Sequence, residues 1–210
     1  MTFFEHALVG VDGAVAAGLH RRFGWPIVAL SASMAVLPDW DGLTILLGAR
    51  CFADAHRVWG HNLPVAGLLA AVLSGLAWRF DLLPKVQQWL MRRHPLTMTV
   101  QSPAYPPKRS AGQAFSWMAV GVIAAYSHLL ADLVFSANSQ LPVWGLQLFW
   151  PLSRSSWAYP LVPWGDVGVT LLLVAGMFAM VRWSQWSRAI ALCTLGLVLL
   201  YIVVRGTCPW

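Results

Sequence analysis

Charge is scarce in this 210-residue chain. Only 10% of its residues are charged and only 8 are acidic, against about 25% charged in an average soluble domain. That is too little charge to cover a water-facing surface, and the length excludes two large soluble domains. Cysteine is equally sparse. Cys51, Cys193 and Cys208 form no CxxC pair, which excludes a zinc ribbon and a redox dithiol and leaves the three as packing residues. The N-terminal stretch lacks a basic region and carries Glu5, His6 and Asp12 among its apolar residues, which argues against a cleaved signal peptide. No internal repeat is evident.

Apolar residues fill the space that charge leaves, at 58% of the chain. Apolar segments run at about 3–19, 26–37, 63–80, 114–135, 167–181 and 189–204, separated by stretches rich in proline, charge or turn residues. Each bilayer-crossing helix needs roughly 20 residues. The pattern therefore predicts an all-α fold, a polytopic membrane helical bundle of about six membrane-embedded helices. It forms a single domain over 1–210, with a motif-bearing core at 1–165 and additional transmembrane helices at 166–210. The segment 26–37 is short for a full span and is expected to tilt, to thin the bilayer or to insert in part. Many of the thirteen tryptophans, among them Trp25, Trp40, Trp59, Trp144, Trp164, Trp183 and Trp186, lie near segment ends, as interfacial belts do.

The net charge of +6 fits cytoplasmic loops and anionic lipid rather than nucleic acid, and no nucleic-acid partner is expected. Residues 81–113 form the long polar insertion, read as an irregular loop with a short surface helix. From Arg79 to Arg109 there are six Lys/Arg against Asp81 alone, which places this region in the cytoplasm. Arg21, Arg22, Arg182 and Arg188 then also fall inside, giving an N-out, multi-pass topology. Arg50, Arg57, Arg154 and Arg205 are the exceptions.

Under that topology the polar residues hardest to explain collect on the extracytoplasmic side. They are His6, Asp39, Asp41, His56, His61, His128 and Asp132. His128 and Asp132 are i, i+4 and share one helix face, so they can hold one metal or hydrogen-bond one another. Ionisable residues in so apolar a segment default to a functional reading. Asp39 and Asp41 flank Trp40 between Pro38 and Gly42, where they can bind a cation or cap a helix. His56 and His61 are too far apart in angle for one helix face, but Gly60 and Pro64 favour a turn that folds both imidazoles inward, with Asn62 placed to cap the next helix. Gly10, one turn from His6, would let another helix approach closely. His20 and His94 sit in basic clusters and read as solvated charge or headgroup contacts. Imidazole and carboxylate suit zinc, with manganese or iron also compatible. Four His and three Asp exceed one ion's needs, so the set suits one or two ions about 3.5–4 Å apart.

The ordered motifs HALVG from His6, LPDWDGL, HRVWGHN, YSHLLAD and GLQLFWPLS from Gly145 together resemble the YdjM-type family of inner-membrane proteins assigned as metal-dependent hydrolases. The resemblance runs over residues 6–153. It implies a helical inner-membrane protein whose metal site is built from these His and Asp residues, somewhat like that of zinc-dependent phospholipase C. Two departures stand out: Asn62 where the family usually has Ser, and Val58 where Gly is common. Asn62 still donates and accepts hydrogen bonds but supplies no hydroxyl.

The expected function is a membrane-bound, metal-dependent hydrolase acting on a lipid or other amphiphile, with a phosphoester as first choice. His6, His56, His61, His128 and Asp132 are expected as ligands, Asp39 as a ligand or bridge, and Asp41 as a ligand or base. Arg57 or Arg154 is expected to clamp an anionic headgroup. Rival readings are a metal or proton transporter and a structural membrane protein braced by a metal.

Overall fold

The computed structural model describes residues 1–93, 110–137 and 143–207; His94, Cys208 and the remainder of the basic insertion lie outside them. The described chain is helical, with two isolated β-bridges and no strand. In order come α1 (Phe3–Ala16), α2 (Leu19–Phe23), α3 (Trp25–Val36), a 3₁₀ segment (Leu37–Leu47), α4 (Ala49–Ala55), α5 (Leu63–Arg79), α6 (Leu82–Arg93), α7 (Ala111–Val134), α8 (Val167–Arg182) and α9 (Ser187–Thr207).

Local chemistry sets the boundaries. A capping box starts α1: Thr2 N–H donates to Glu5 Oε2 at 2.7 Å and Glu5 N–H donates to Thr2 Oγ1 at 3.4 Å, which satisfies donors left open at a helix start. Gly18 and Gly24, at φ 72° and 77°, break the apolar run after α1 and again before α3, in a region open to glycine. Asn62 Oδ1 accepts from Val65 N–H at 2.8 Å to cap α5, Ser110 caps α7 through Gln113 N–H, and Asp166 caps α8 through Gly168 N–H.

The helices pack in the order α9, α1, α3, α7, α5, with α8 against α9 and α1. Gly10 makes the α1–α3 contact possible, because a Cβ there would come within 2.7 Å of the Ser31 carbonyl oxygen. Ser31 Oγ in turn donates to the Gly10 carbonyl at 2.8 Å. The main core gathers Val15, Ile27, Leu30, Ala70, Trp117, Ala125 and Leu129. A second cluster of Leu8, Phe135, Val162, Val169, Leu173 and Val198 seats α8 and α9 on α1.

The expectation of six membrane-embedded helices is corrected. Among the described residues two helices are long and apolar enough to cross a bilayer, Ala111–Val134 and Ser184–Thr207, or three if α5 and α6, bent by 58°, count as one broken span. The 14 residues of α1 and 12 of α3 reach only about 21 and 18 Å, short of a hydrocarbon core of about 30 Å. Their apolar character reflects burial inside the bundle, where Ile27, Leu30 and Val15 are almost wholly enclosed. By contrast only 17% of the most apolar stretch of Ser184–Thr207 is buried, and Leu199, Leu200 and Val203 are exposed along it. The short helix expected within the polar insertion is Leu82–Arg93, which follows a break at Asp81, at φ 52°. Cys193, expected to pack, is exposed on α9.

Candidate metal centre

Four elements deliver side chains to one point: the start of α1, the 3₁₀ segment after α3, the turn before α5 and the C-terminal half of α7. Because these helices run up and down the bundle, these four places share one end of it. Arg21, Arg22, Arg79, Arg92, Arg93, Arg182 and Arg188 occupy helix ends and connections at the other end.

At the focus, His61 Nε2 and His128 Nε2 lie 3.1 Å apart. His128 Nδ1 is 2.7 Å from the Ala35 carbonyl oxygen. A carbonyl only accepts, so Nδ1 carries the hydrogen and the Nε2 lone pair faces His61. His61 Nδ1 donates to Asp41 Oδ2 at 2.9 Å. Asp39 Oδ1 lies 3.2 Å from His61 Nε2 and 3.6 Å from His128 Nε2. Asp132 Oδ2 lies 3.5 and 3.6 Å from the same two nitrogens. Donor atoms about 2.0–2.2 Å from a tetrahedral ion would stand about 3.3–3.6 Å from one another. His61, His128 and Asp132 therefore stand at the spacings of one divalent metal's ligands, with Asp39 at like spacings from the two histidines, and the residues of this cage fit the ion that their chemistry suggests.

His6 and His56 flank the cage. His6 Nε2 lies 3.1 Å from Asp132 Oδ1, and its ring stacks on His128 with centroids 3.6 Å apart. Among the described residues three groups of convergent donor atoms result: His61, His128 and Asp132; His6, Asp39 and His128; and Asp39, His56 and His61. Asp39 belongs to two of them, the position a bridging carboxylate takes between two ions.

Asp41 stands behind this arrangement and joins none of the three groups. Its carboxylate accepts from His56 Nδ1 at 2.7 Å, from the Gly60 N–H at 2.8 Å and from His61 Nδ1. Burial alone would raise the Asp41 pKa, but the hydrogen bonds from His56, His61 and Gly60 hold it at about 2. Gly60 is required at its position, since a Cβ would run into the Pro38 carbonyl oxygen. For Asp39, burial is again opposed, and outweighed, by the hydrogen bond from His61 and the field of His128, so its pKa is lowered. Burial alone would lower the His61 pKa. Its hydrogen bonds to Asp132, Asp39 and Asp41 push it well above the usual imidazole value instead.

Arg57 does not face outward as a headgroup clamp would. It is 5% exposed, and Nη1 donates to the Trp144 carbonyl at 2.6 Å while Nη2 lies 3.4 Å from Asp132 Oδ2. Its backbone stands at φ 64°, a left-handed conformation that costs a non-glycine residue about 1–3 kcal/mol and is tolerated where surroundings fix it. Arg154 is exposed in the segment after α7.

Several partners carried no sequence signal. The Ala35 carbonyl is a backbone group. The Met1 ammonium reaches Asp132 Oδ1 at 2.9 Å. Trp144, read as a belt residue, packs its ring against His56 and beneath the Arg57 guanidinium. The Gly145–Ser153 motif serves as a brace for the histidine turn: Leu63 N–H donates to the Leu148 carbonyl at 2.9 Å, and Gln147 N–H to the Arg57 carbonyl at 3.4 Å. Asn62, the departure from Ser, uses Nδ2 to donate to the Val58 and Trp59 carbonyls at 2.8 and 2.9 Å, bonds that one hydroxyl cannot make together with the cap.

Residues 1–208 match the YdjM inner membrane protein family. No curated protein and no solved structure matches the chain. With the match spanning both the helical bundle and every residue of the cage, this chain belongs to the YdjM inner membrane protein family.

Proposed function

We propose that the protein is a metal-dependent hydrolase whose substrate is a lipid or amphiphilic ester, with a phosphoester preferred. One observation carries the proposal: two imidazole nitrogens 3.1 Å apart, each with its other nitrogen fixed, beside two carboxylates at 3.2–3.6 Å. The proton that His61 carries lies between the two nitrogens, and a cation bound there would take its place.

His61, His128 and Asp132 are all buried and form the holding set, two imidazoles and one carboxylate, a composition found in catalytic zinc sites. Zinc, or manganese or iron in its place, would supply Lewis acidity to the scissile bond and to the attacking water. Asp39 has the most exposed carboxylate of the cage, 11% against 4% for Asp132. It takes the proton from that water as general base. Asp41 orients His61 and His56, and Arg57 holds Asp132. In a two-ion form Asp39 would instead bridge, and the second ion would take either His6 with His128 or His56 with His61. The exposed Trp40, Leu43, Leu46 and Leu47 next to Asp39 in sequence form an apolar rim suited to an acyl chain, and exposed Arg154 remains a candidate for the headgroup.

The positive-inside rule puts the cage on the extracytoplasmic face of a multi-pass protein. Two of the four arginines on the wrong side for that rule are paired with carboxylates, Arg57 with Asp132 and Arg205 with Asp166 at 3.5 Å. This weakens their vote as topogenic charges.

Elemental analysis of the purified protein beside His61→Ala and Asp132→Ala tests the site. One or two metal equivalents per chain, lost in both folded variants, followed by metal-dependent release of headgroup from lipid phosphoesters, is the expected result. Metal-free protein after reconstitution in all three samples would overturn it.

Ion or proton transport is the second reading, favoured by Asp12. It lies seven residues from Glu5 on the same face of α1, and both are buried. Acidification or metal uptake in proteoliposomes without any hydrolysis would select that reading.

A further inference from the structure

At the end of the bundle remote from the cage, a shallow cleft of about 380 Å³ opens between α2 and the start of α9, lined by Arg21, Gln185, Trp186, Arg188, Ala189 and Leu192. Two guanidinium groups, an amide and an indole thus surround one opening whose lower wall is aliphatic. Among the described residues Arg188 spends only its Nε–H, donating to the Ala16 carbonyl at 3.0 Å. Its two terminal amino groups remain for another acceptor. Among the described residues neither Arg21 nor Arg188 has a carboxylate partner.

We propose that this cleft is a binding site for the phosphate of an anionic phospholipid, with an acyl chain laid down α9 past Leu192. The charge is unneutralised and therefore calls for an anion. His20 reports the same field: burial and then Arg21 and Arg188 lower its pKa, and its Nδ1 is buried without a hydrogen-bond partner among the described residues. Paired guanidinium groups match phosphate oxygens in geometry as well as charge.

The aliphatic wall selects a lipid over a free anion. Leu192 is 53% exposed and Trp186 64% exposed, on Ser184–Thr207, one of the helices long and apolar enough to cross the bilayer. An indole at such a helix end marks the headgroup level. The same level is marked independently by α6, whose exposed Leu82, Val86 and Trp89 lie on one side while Lys85 and Arg92 lie roughly 60–100° around the helix. That distribution suits a helix lying in the interface.

The test uses the full-length protein in neutral detergent and native mass spectrometry. Phosphatidylglycerol, phosphatidylcholine and inorganic phosphate are added in turn to wild type, Arg21→Gln, Arg188→Gln and, as a control at the other end of the bundle, Arg50→Gln. An arginine near an anionic headgroup contributes about fivefold in affinity. Wild type and Arg50→Gln should retain phosphatidylglycerol over phosphatidylcholine, and Arg21→Gln should weaken that retention about fivefold. Arg188→Gln also removes a contact to α1, so it counts only if its thermal midpoint stays near wild type; Arg21 is exposed and decides alone if it does not. Equal retention of both lipids, or unchanged retention in Arg21→Gln, overturns the proposal. So does inorganic phosphate binding at the same arginines with no preference between the lipids.

Discussion

His61 and His128 meet through their Nε2 atoms at 3.1 Å while their Nδ1 atoms are held at opposite ends by the Asp41 carboxylate and the Ala35 carbonyl. Neither ring can turn away without giving up a buried hydrogen bond, so the two lone-pair positions are fixed toward one point before any ion arrives. Preorganisation of this kind is what outer hydrogen bonds provide in metal sites, and losing one typically costs 10–100-fold in metal affinity or activity.

Asp41→Asn is therefore expected to weaken metal binding about 10–100-fold without abolishing it. Asn retains one acceptor for His61 or His56 but not the charge shared by both. His61→Ala should abolish binding. Competition against a graded series of chelators separates the two outcomes, and equal loss in both variants would mean that Asp41 contacts the ion itself.

Protons should leave as metal enters. The apo chain keeps His61 protonated at neutral pH, because Asp132, Asp39 and Asp41 raise its pKa, and a bound ion requires the neutral ring. Metal affinity then rises with pH up to the His61 pKa and levels off above it. Stability of the apo protein runs the opposite way: the contribution of protonated His61 is complete below its unfolded pKa and is lost as pH rises through the folded one. Calorimetric titration at pH 7 in two buffers of different ionisation enthalpy should give apparent heats whose difference, divided by that of the ionisation enthalpies, corresponds to about one proton released per ion. Identical heats would refute the assignment.

Much of the centre could be read from residue type and spacing. The i, i+4 pair of His128 and Asp132 projects from one face of α7 as helix geometry requires, and the turn at Gly60 does fold His61 toward it. Composition likewise made the chain helical and apolar. What could not be read was depth. An apolar run records exclusion from water but not whether lipid or protein excludes it, so α1 and α3, buried by their neighbours, looked like spans. The distinction between Asp39 and Asp41 was also hidden. Two carboxylates two residues apart look equivalent in sequence, and only the 3₁₀ path of Leu37–Leu47 separates one in the cage from one behind it. Arg57 was misplaced for a similar reason, since its left-handed backbone turns it inward toward Asp132.

Asp12 offers a different kind of test. It is 1% exposed and both carboxylate oxygens lack a hydrogen-bond partner among the described residues, although α1 packs tightly against α3 and α9. An unsatisfied buried polar group costs about 1–3 kcal/mol. Asp12→Ala, which removes both oxygens and favours the helix, should raise the thermal midpoint in detergent by several degrees and leave metal content unchanged. Unchanged hydrolysis in that variant would make Asp12 a bystander. Loss of metal-coupled transport in vesicles would mark it as part of an ion path.

Asp39 decides between a working site and a brace. If all four cage residues close the coordination shell, the ion is structural, and Asp39→Asn should lower metal content together with stability. If His61, His128 and Asp132 hold the ion while Asp39 serves the water, Asp39→Asn should keep at least one metal equivalent, keep the thermal midpoint and lose 10²–10⁴-fold in turnover, the usual contribution of a general base. The partial exposure of Asp39 beside the closed Asp132 favours the second outcome, because a group that exchanges protons with a substrate site needs a face open to it. Metal content, melting and turnover of phosphatidylglycerol measured on one preparation of Asp39→Asn settle which description holds. The structural reading stands if metal and stability fall together.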